Sequence, residues 1–187
     1  MKQQELLTTQ ESLQIITQMI QTTKGNIKSN SFYVLLWGWV VVFGNFGHYF
    51  LDQFTSYEYP YIIWLITIPA WIISMIHGFK KSKEARVKTY GENLVMWVWL
   101  SFLFSYLIIV FSGQFAGSIT VLILIMAGMC TFITGLILKF KPLIYGGSSF
   151  WIFSALILAV DYSYAPLISG LATFIGYLIP GYLLKKA

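Results

Sequence analysis

The chain has 187 residues, of which 57% are hydrophobic and only 10% charged, and its mean hydropathy is +0.71. A soluble domain carries about 25% charged residues, so there are too few polar groups here to cover a water-facing surface. The net charge of +5 could point to nucleic acid, but the lysines sit beside apolar runs, so a lipid bilayer is the simpler partner and no nucleic-acid partner is expected.

Residues 1–30 are polar and contain no apolar core of the kind a signal peptide needs. They carry Glu5 and Glu11 and no arginine, which speaks against a transit peptide. The first membrane span is then expected to act as its own targeting signal. Within this region Leu6, Leu13, Ile20 and Ile27 recur every seven residues, and Ile16 falls on the same side of a helix. Thr8 with Glu11 fits a capping box, and Gly25 after Lys24 fits a helix stop. The pattern predicts a cytoplasmic helix over about residues 9–24. Its polar face is Gln and Thr, whereas a helix lying on anionic lipid is normally more basic. The stripe either docks on a protein partner or a second copy, or packs under the protein's own loops.

Residues 31–187 read as one transmembrane domain. A helix crossing the hydrocarbon core needs about 20 apolar residues. Six such runs follow in order, at 31–51, 59–79, 93–111, 115–138, 143–160 and 164–184. They are continuous and not alternating, which favours helices over a β-barrel. Short links make neighbouring spans antiparallel hairpins. Pro60, Pro142 and Pro166 sit near helix starts, where a missing N–H costs nothing. Only Asp161, Tyr162 and Ser163 separate the last two spans.

This topology places all 12 basic residues on one side. Lys2, Lys24 and Lys28 precede the first span, and Lys80, Lys81, Lys83, Arg86 and Lys88 join the second to the third. Lys139 and Lys141 join the fourth to the fifth, and Lys185 and Lys186 follow the sixth. The other side has Asp52, Glu58 and Asp161 and no Lys or Arg. The positive-inside rule then puts both termini in the cytoplasm, with the bacterial inner membrane as the expected location. The run from Lys80 to Lys88 serves as a topology signal or contacts anionic lipid.

The odd-numbered spans carry Leu36-Trp37-Gly38-Trp39, Met96-Trp97-Val98-Trp99 and Phe150-Trp151-Ile152-Phe153. Two even-numbered spans finish alike, with Gly135 to Lys139 and Gly181 to Lys185. A triplicated hairpin with pseudo-threefold symmetry would produce this, and so would an aromatic belt combined with inward lysines.

No Asp, Glu, Lys or Arg lies in the middle of a span, which argues against a proton-coupled pump, a voltage sensor or a charge-selective path. The nearest thing to a site is at the outer end of the first span, where Asn45, His48 and Asp52 share a helical face and Asp161 could join them. His48 and Asp52 could bind a metal or exchange a proton, but two ligands at this spacing are a weak signal, so no metal or cofactor is expected. No catalytic motif appears. Pro69 falls mid-span in the second run, as either a hinge or a static kink. Glycines such as Gly128, Gly135, Gly170 and Gly176 can let helices approach closely. The single cysteine, Cys130, allows no intramolecular disulfide.

The fold expected is an all-α integral membrane protein, a six-helix bundle with a short N-terminal amphipathic helix. The leading functional expectation is a non-enzymatic subunit, scaffold or regulator that acts through that helix. A transporter or channel for a small neutral or apolar solute is the alternative. An intramembrane enzyme using His48, Asp52 and Asp161 is the remote one.

Overall fold

The structure, a computed structural model, describes the backbone over residues 9–84, 90–115 and 117–186 and the side chains over 31–80, 91–115 and 117–186. The described residues are helical apart from short connections, with no strand among them. Helix α1 runs Thr9–Phe54, and a 3₁₀ stretch Pro60–Ile66 leads into α2, Thr67–Glu84. Helices α3 (Tyr90–Ser112), α4 (Ile119–Ile137) and α5 (Lys141–Ala159) follow. A 3₁₀ turn Tyr162–Tyr164, α6 (Ala165–Thr173), a π-helical stretch Phe174–Leu178 and α7 (Ile179–Lys186) then stack end to end.

Six segments are long and apolar enough to cross a membrane: Ser31–Phe54, Pro60–Lys80, Gly91–Ser112, Ile119–Ile137, Lys141–Ala159 and Tyr162–Lys186. In chain order these are segments one to six. The side chains facing outward are themselves apolar, among them Phe79, Phe104, Phe111 and Ile152, the last two 82% and 71% exposed. Such a surface is far larger than the apolar patches that water-facing monomers tolerate.

Three features depart from the sequence reading. Helix α1 is continuous through Gly25, so the break expected after residue 24 is not there. A glycine inside a helix costs only about 1 kcal/mol against alanine, which 46 helical residues absorb. Pro69 does not kink the middle of an α-helix. Segment two changes from 3₁₀ to α at Thr67, and Pro69 is the third residue of α2. There its missing N–H is one of the four that lack a partner within the helix anyway. The fourth span starts at Ile119, because Gly113, at φ 66°, turns the chain after α3 and a further turn precedes Ser118.

Pro180 shapes segment six. It has no N–H for the Gly176 carbonyl, and its ring would collide with that oxygen in a regular helix. The chain widens to a π turn just before it, where the Ile179 N–H bonds the Phe174 carbonyl five residues back. Between α4 and α5 the turn is a Schellman motif. Phe140 N–H bonds Gly135 O at 2.9 Å and Lys139 N–H bonds Leu136 O at 3.1 Å. Lys139 takes the left-handed conformation there, φ 52°, where glycine is usual.

In space the segments neighbour one another in the order two, one, six, five, four, three. Contacts between neighbours run in opposite directions. Gly44 meets Trp64 and Gly78 meets Tyr33; Gly38 meets Tyr177 and Gly170 meets Asn45; Gly135 meets Ile144 and Gly128 meets Phe150. The core lies between segments one, four, five and six and includes Val34, Leu124, Leu143, Phe150, Ile157 and Leu184.

The closest approaches are backbone on backbone. A Cβ at Gly146 would strike the Gly176 carbonyl, and one at Gly147 would strike Phe132 N and Cα and the Gly128 carbonyl. Gly128, Gly135, Gly170 and Gly176 each pack against another helix of this one chain.

Candidate functional site

The end bearing Asp52, Glu58 and Asp161 carries the polar groups singled out by sequence. Asn45 is almost fully buried, 3% exposed, against Gly170, and its Nδ2 donates to Val41 O at 2.9 Å within its own helix. The half-buried His48 accepts the indole N–H of Trp64 at Nδ1, 3.1 Å away. Indole nitrogen is a donor only, so this bond puts the ring proton of a neutral His48 on Nε2. In this arrangement the Nδ1 lone pair is taken up by Trp64.

Asp52 is exposed and accepts from Gln53 Nε2 at 2.7 Å. The exposed Asp161 accepts both the Ser163 backbone N–H (2.8 Å) and hydroxyl (2.5 Å) at one oxygen, capping the 3₁₀ turn. The Ser163 hydroxyl, and then its N–H, hold the Asp161 carboxyl below the ordinary aspartate range. Each of these groups is thus engaged locally. Among the described residues no three His, Cys, Asp or Glu gather as a metal site.

Tyrosines do gather at this end. Tyr57, Tyr59 and Tyr61 contact edge to face in succession, and Tyr49 reaches Tyr164 across segments one and six. Tyr162 accepts the Thr120 N–H at 3.1 Å, tying segment six to the start of α4.

The other residues fall elsewhere. Pro69 is exposed in the first turn of α2. Lys80 is exposed at the end of segment two, while the side chains of Lys81 and Lys83, and all of Arg86 and Lys88, lie outside the described residues. Leu13, Ile16, Ile20 and Ile27 lie on the backbone of α1 with their side chains outside the described set, and Leu6 is wholly outside it.

Sequence reasoning treated the tryptophans as an interfacial belt and missed what their N–H groups do. Trp37 donates to Ser74 (3.1 Å), Trp39 to Tyr182 (3.0 Å), Trp99 to Thr134 (3.2 Å) and Trp151 to Ile125 O (3.3 Å). An indole among apolar neighbours needs an acceptor, and a neighbouring span supplies one: a Ser, Thr, Tyr or His side chain or, for Trp151, a backbone carbonyl. Trp37 and Trp99 each reach forward into the following segment, whereas Trp151 reaches back, so the third hairpin departs from the pattern of the first two.

Beside the Trp39–Tyr182 bond runs a groove of about 620 Å³ along one face of α1. Leu36, Trp39 and Phe43 of α1, Ile66 of the 3₁₀ stretch, and Tyr182 and Lys185 of α7 line it.

No family model, curated protein or solved structure matches this chain.

Proposed function

We propose that this chain is a six-span protein of a bacterial inner membrane, built from three antiparallel hairpins with both termini in the cytoplasm. It acts as a non-enzymatic subunit, scaffold or regulator through the N-terminal part of α1. The observation that carries this reading is the length and continuity of α1. Its 46 residues make a helix about 69 Å long at a rise of 1.5 Å per residue, roughly twice the hydrocarbon thickness of a bilayer. The 24 residues Ser31–Phe54 suffice to span. The preceding part, from Thr9, then stands off the membrane as a helix continuous with a core-forming span, and force or displacement applied to it reaches the bundle directly.

The orientation is supported by the segregation of all 12 basic residues to one end. Seven-residue spacing puts Leu13, Ile20 and Ile27 on one side of the projecting rod, with Ile16 beside them. The absence of Asp, Glu, Lys and Arg from mid-span positions fits a structural role better than charge transport.

The test is purification from the native membrane in gentle detergent, reading the mass of the intact complex. A protein mass above the 21.4 kDa of one chain is expected, and the double variant Leu13→Asp, Ile20→Asp should reduce it to one chain. A complex that survives the double change, or a monomeric wild-type chain, overturns the reading. Reporters fused to the two ends should both report the cytoplasm.

A further inference from the structure

We infer that the groove along α1 is a binding site for an anionic phospholipid, one acyl chain lying along α1 and the phosphate held at Lys185. The inference rests on the membrane reading above. The groove is an open trough with aromatic and aliphatic walls, which suits a flexible hydrocarbon chain. Its volume of about 620 Å³ is within the usual range of ligand pockets, roughly 300–1,000 Å³.

Its polar groups are few: Ser31, which is buried on α1, and the exposed pair Tyr182 and Lys185 on α7. Tyr182 and Lys185 are three residues apart on α7 and line the groove together. The Tyr182 oxygen already accepts the Trp39 indole N–H, which leaves its own O–H to donate outward, toward a glycerol ester. Lys185 supplies a cation at the basic end of the bundle, where a phosphodiester would lie. The described residues lining the groove include no carboxylate that would repel the phosphate.

The surroundings extend the match. At the same end Phe32, which also lines the groove, stacks on His77 at 4.0 Å between ring centres, and Lys80 follows one turn later on α2. Anionic headgroups are drawn to such basic ends between helices, whereas a zwitterionic lipid gains little from Lys185. Charge complementarity therefore selects an anionic lipid.

The test uses the full chain in neutral detergent, with native mass spectrometry following retention of phosphatidylglycerol and of phosphatidylcholine with identical acyl chains. Wild type should retain phosphatidylglycerol about fivefold more tightly. Lys185→Glu should abolish that preference, with Lys185→Gln as the milder variant if the first fails to fold. Leu36→Trp, which fills the trough, should weaken both lipids. Lys141→Glu makes the same charge change away from the groove and should leave the preference intact. Equal retention of the two lipids by wild type overturns the site. So does an effect of Lys141→Glu equal to that of Lys185→Glu, or wild-type retention by Leu36→Trp. An alkaline wash of native membranes separates the two readings. A chain that washes off refutes membrane insertion and the groove with it, and a chain that stays but shows no lipid preference refutes the groove alone.

Discussion

Segments three and six are both apolar helices of similar length, yet they are used in opposite ways. Segment three has the highest mean hydropathy of the six, and none of its most apolar stretch is buried, whereas 61% of that of segment six is. Apolar character therefore does not decide which helix forms the core. Where lipid tails are as apolar as leucine, burying leucine gains little, and close packing of backbones and polar bonds between helices decide the arrangement. Segment six carries Gly170, Gly176 and Gly181, each against a neighbouring helix. Segment three has one glycine, Gly91, with only ordinary side-chain contact. It is held instead by side-chain bonds, from Trp99 to Thr134 and from Cys130 to the Val98 carbonyl.

The largest effect expected from this contrast is at the glycine seam. Gly147→Val places a side chain against the backbone of Phe132 and Gly128, and neither can move without shifting α4. Overpacking of this kind costs about 3 kcal/mol, enough to prevent folding of a marginal bundle. Gly117→Ala, with nothing within 4 Å of its new methyl, should stay within about 0.5 kcal/mol of wild type. Unfolding in detergent, followed by thermal or denaturant titration, measures both. Equal effects at the two positions would show that the close approach of α4 and α5 does not hold the core.

A smaller effect is expected at the periphery. Trp99→Phe keeps most of the ring but removes the bond to Thr134, at a cost of about 1 kcal/mol. Thr134 retains its own bond to Cys130 O, which limits the loss. Trp97→Phe, at an exposed position on the same helix, is the control. Backbone hydrogen exchange should rise in α3 for the first variant and leave α5 unchanged. A rise across the whole bundle would mean that segment three is part of the core after all.

The same contrast explains how much was legible in the sequence. Runs of about 20 apolar residues bounded by proline, glycine or lysine give the six helices directly, because length and continuity decide whether a helix can span. Their spatial order was not legible, because it depends on which small residues face each other, and a single sequence gives glycine positions without partners. The π turn before Pro180 had a visible cause, a proline inside an apolar run, but a proline alone does not say whether a helix kinks or widens, and the close passage of Gly146 beside Gly176 is not visible in one sequence. At the acidic end Asn45, His48 and Asp52 all lie on α1, at the three- and four-residue spacing read from the sequence. That spacing could not foresee that Trp64 occupies His48 Nδ1, since that bond joins residues 16 apart across a loop. The Gly25 stop failed because a capping signal is worth far less than the cooperativity of a long helix.

The smallest expected effect lies at the exposed turn between segments five and six, and it separates local from global roles at the acidic end. Two hydrogen bonds from Ser163 favour the charged form of Asp161, so its folded pKa lies below its unfolded value. The stability this adds is fully present above the ordinary aspartate pKa of about 3.9 and is lost as pH falls through the lower folded value. At neutral pH it is constant. The carboxyl carbon of Asp161, followed by NMR, should titrate below the ordinary range, and Ser163→Ala should move it back up while leaving the packing of Ala165 and Ala172 beneath the turn unchanged. A carboxyl that titrates at or above the ordinary value would mean that the turn is not capped by Asp161, and would return that side chain to the pool of groups free to act with Asp52.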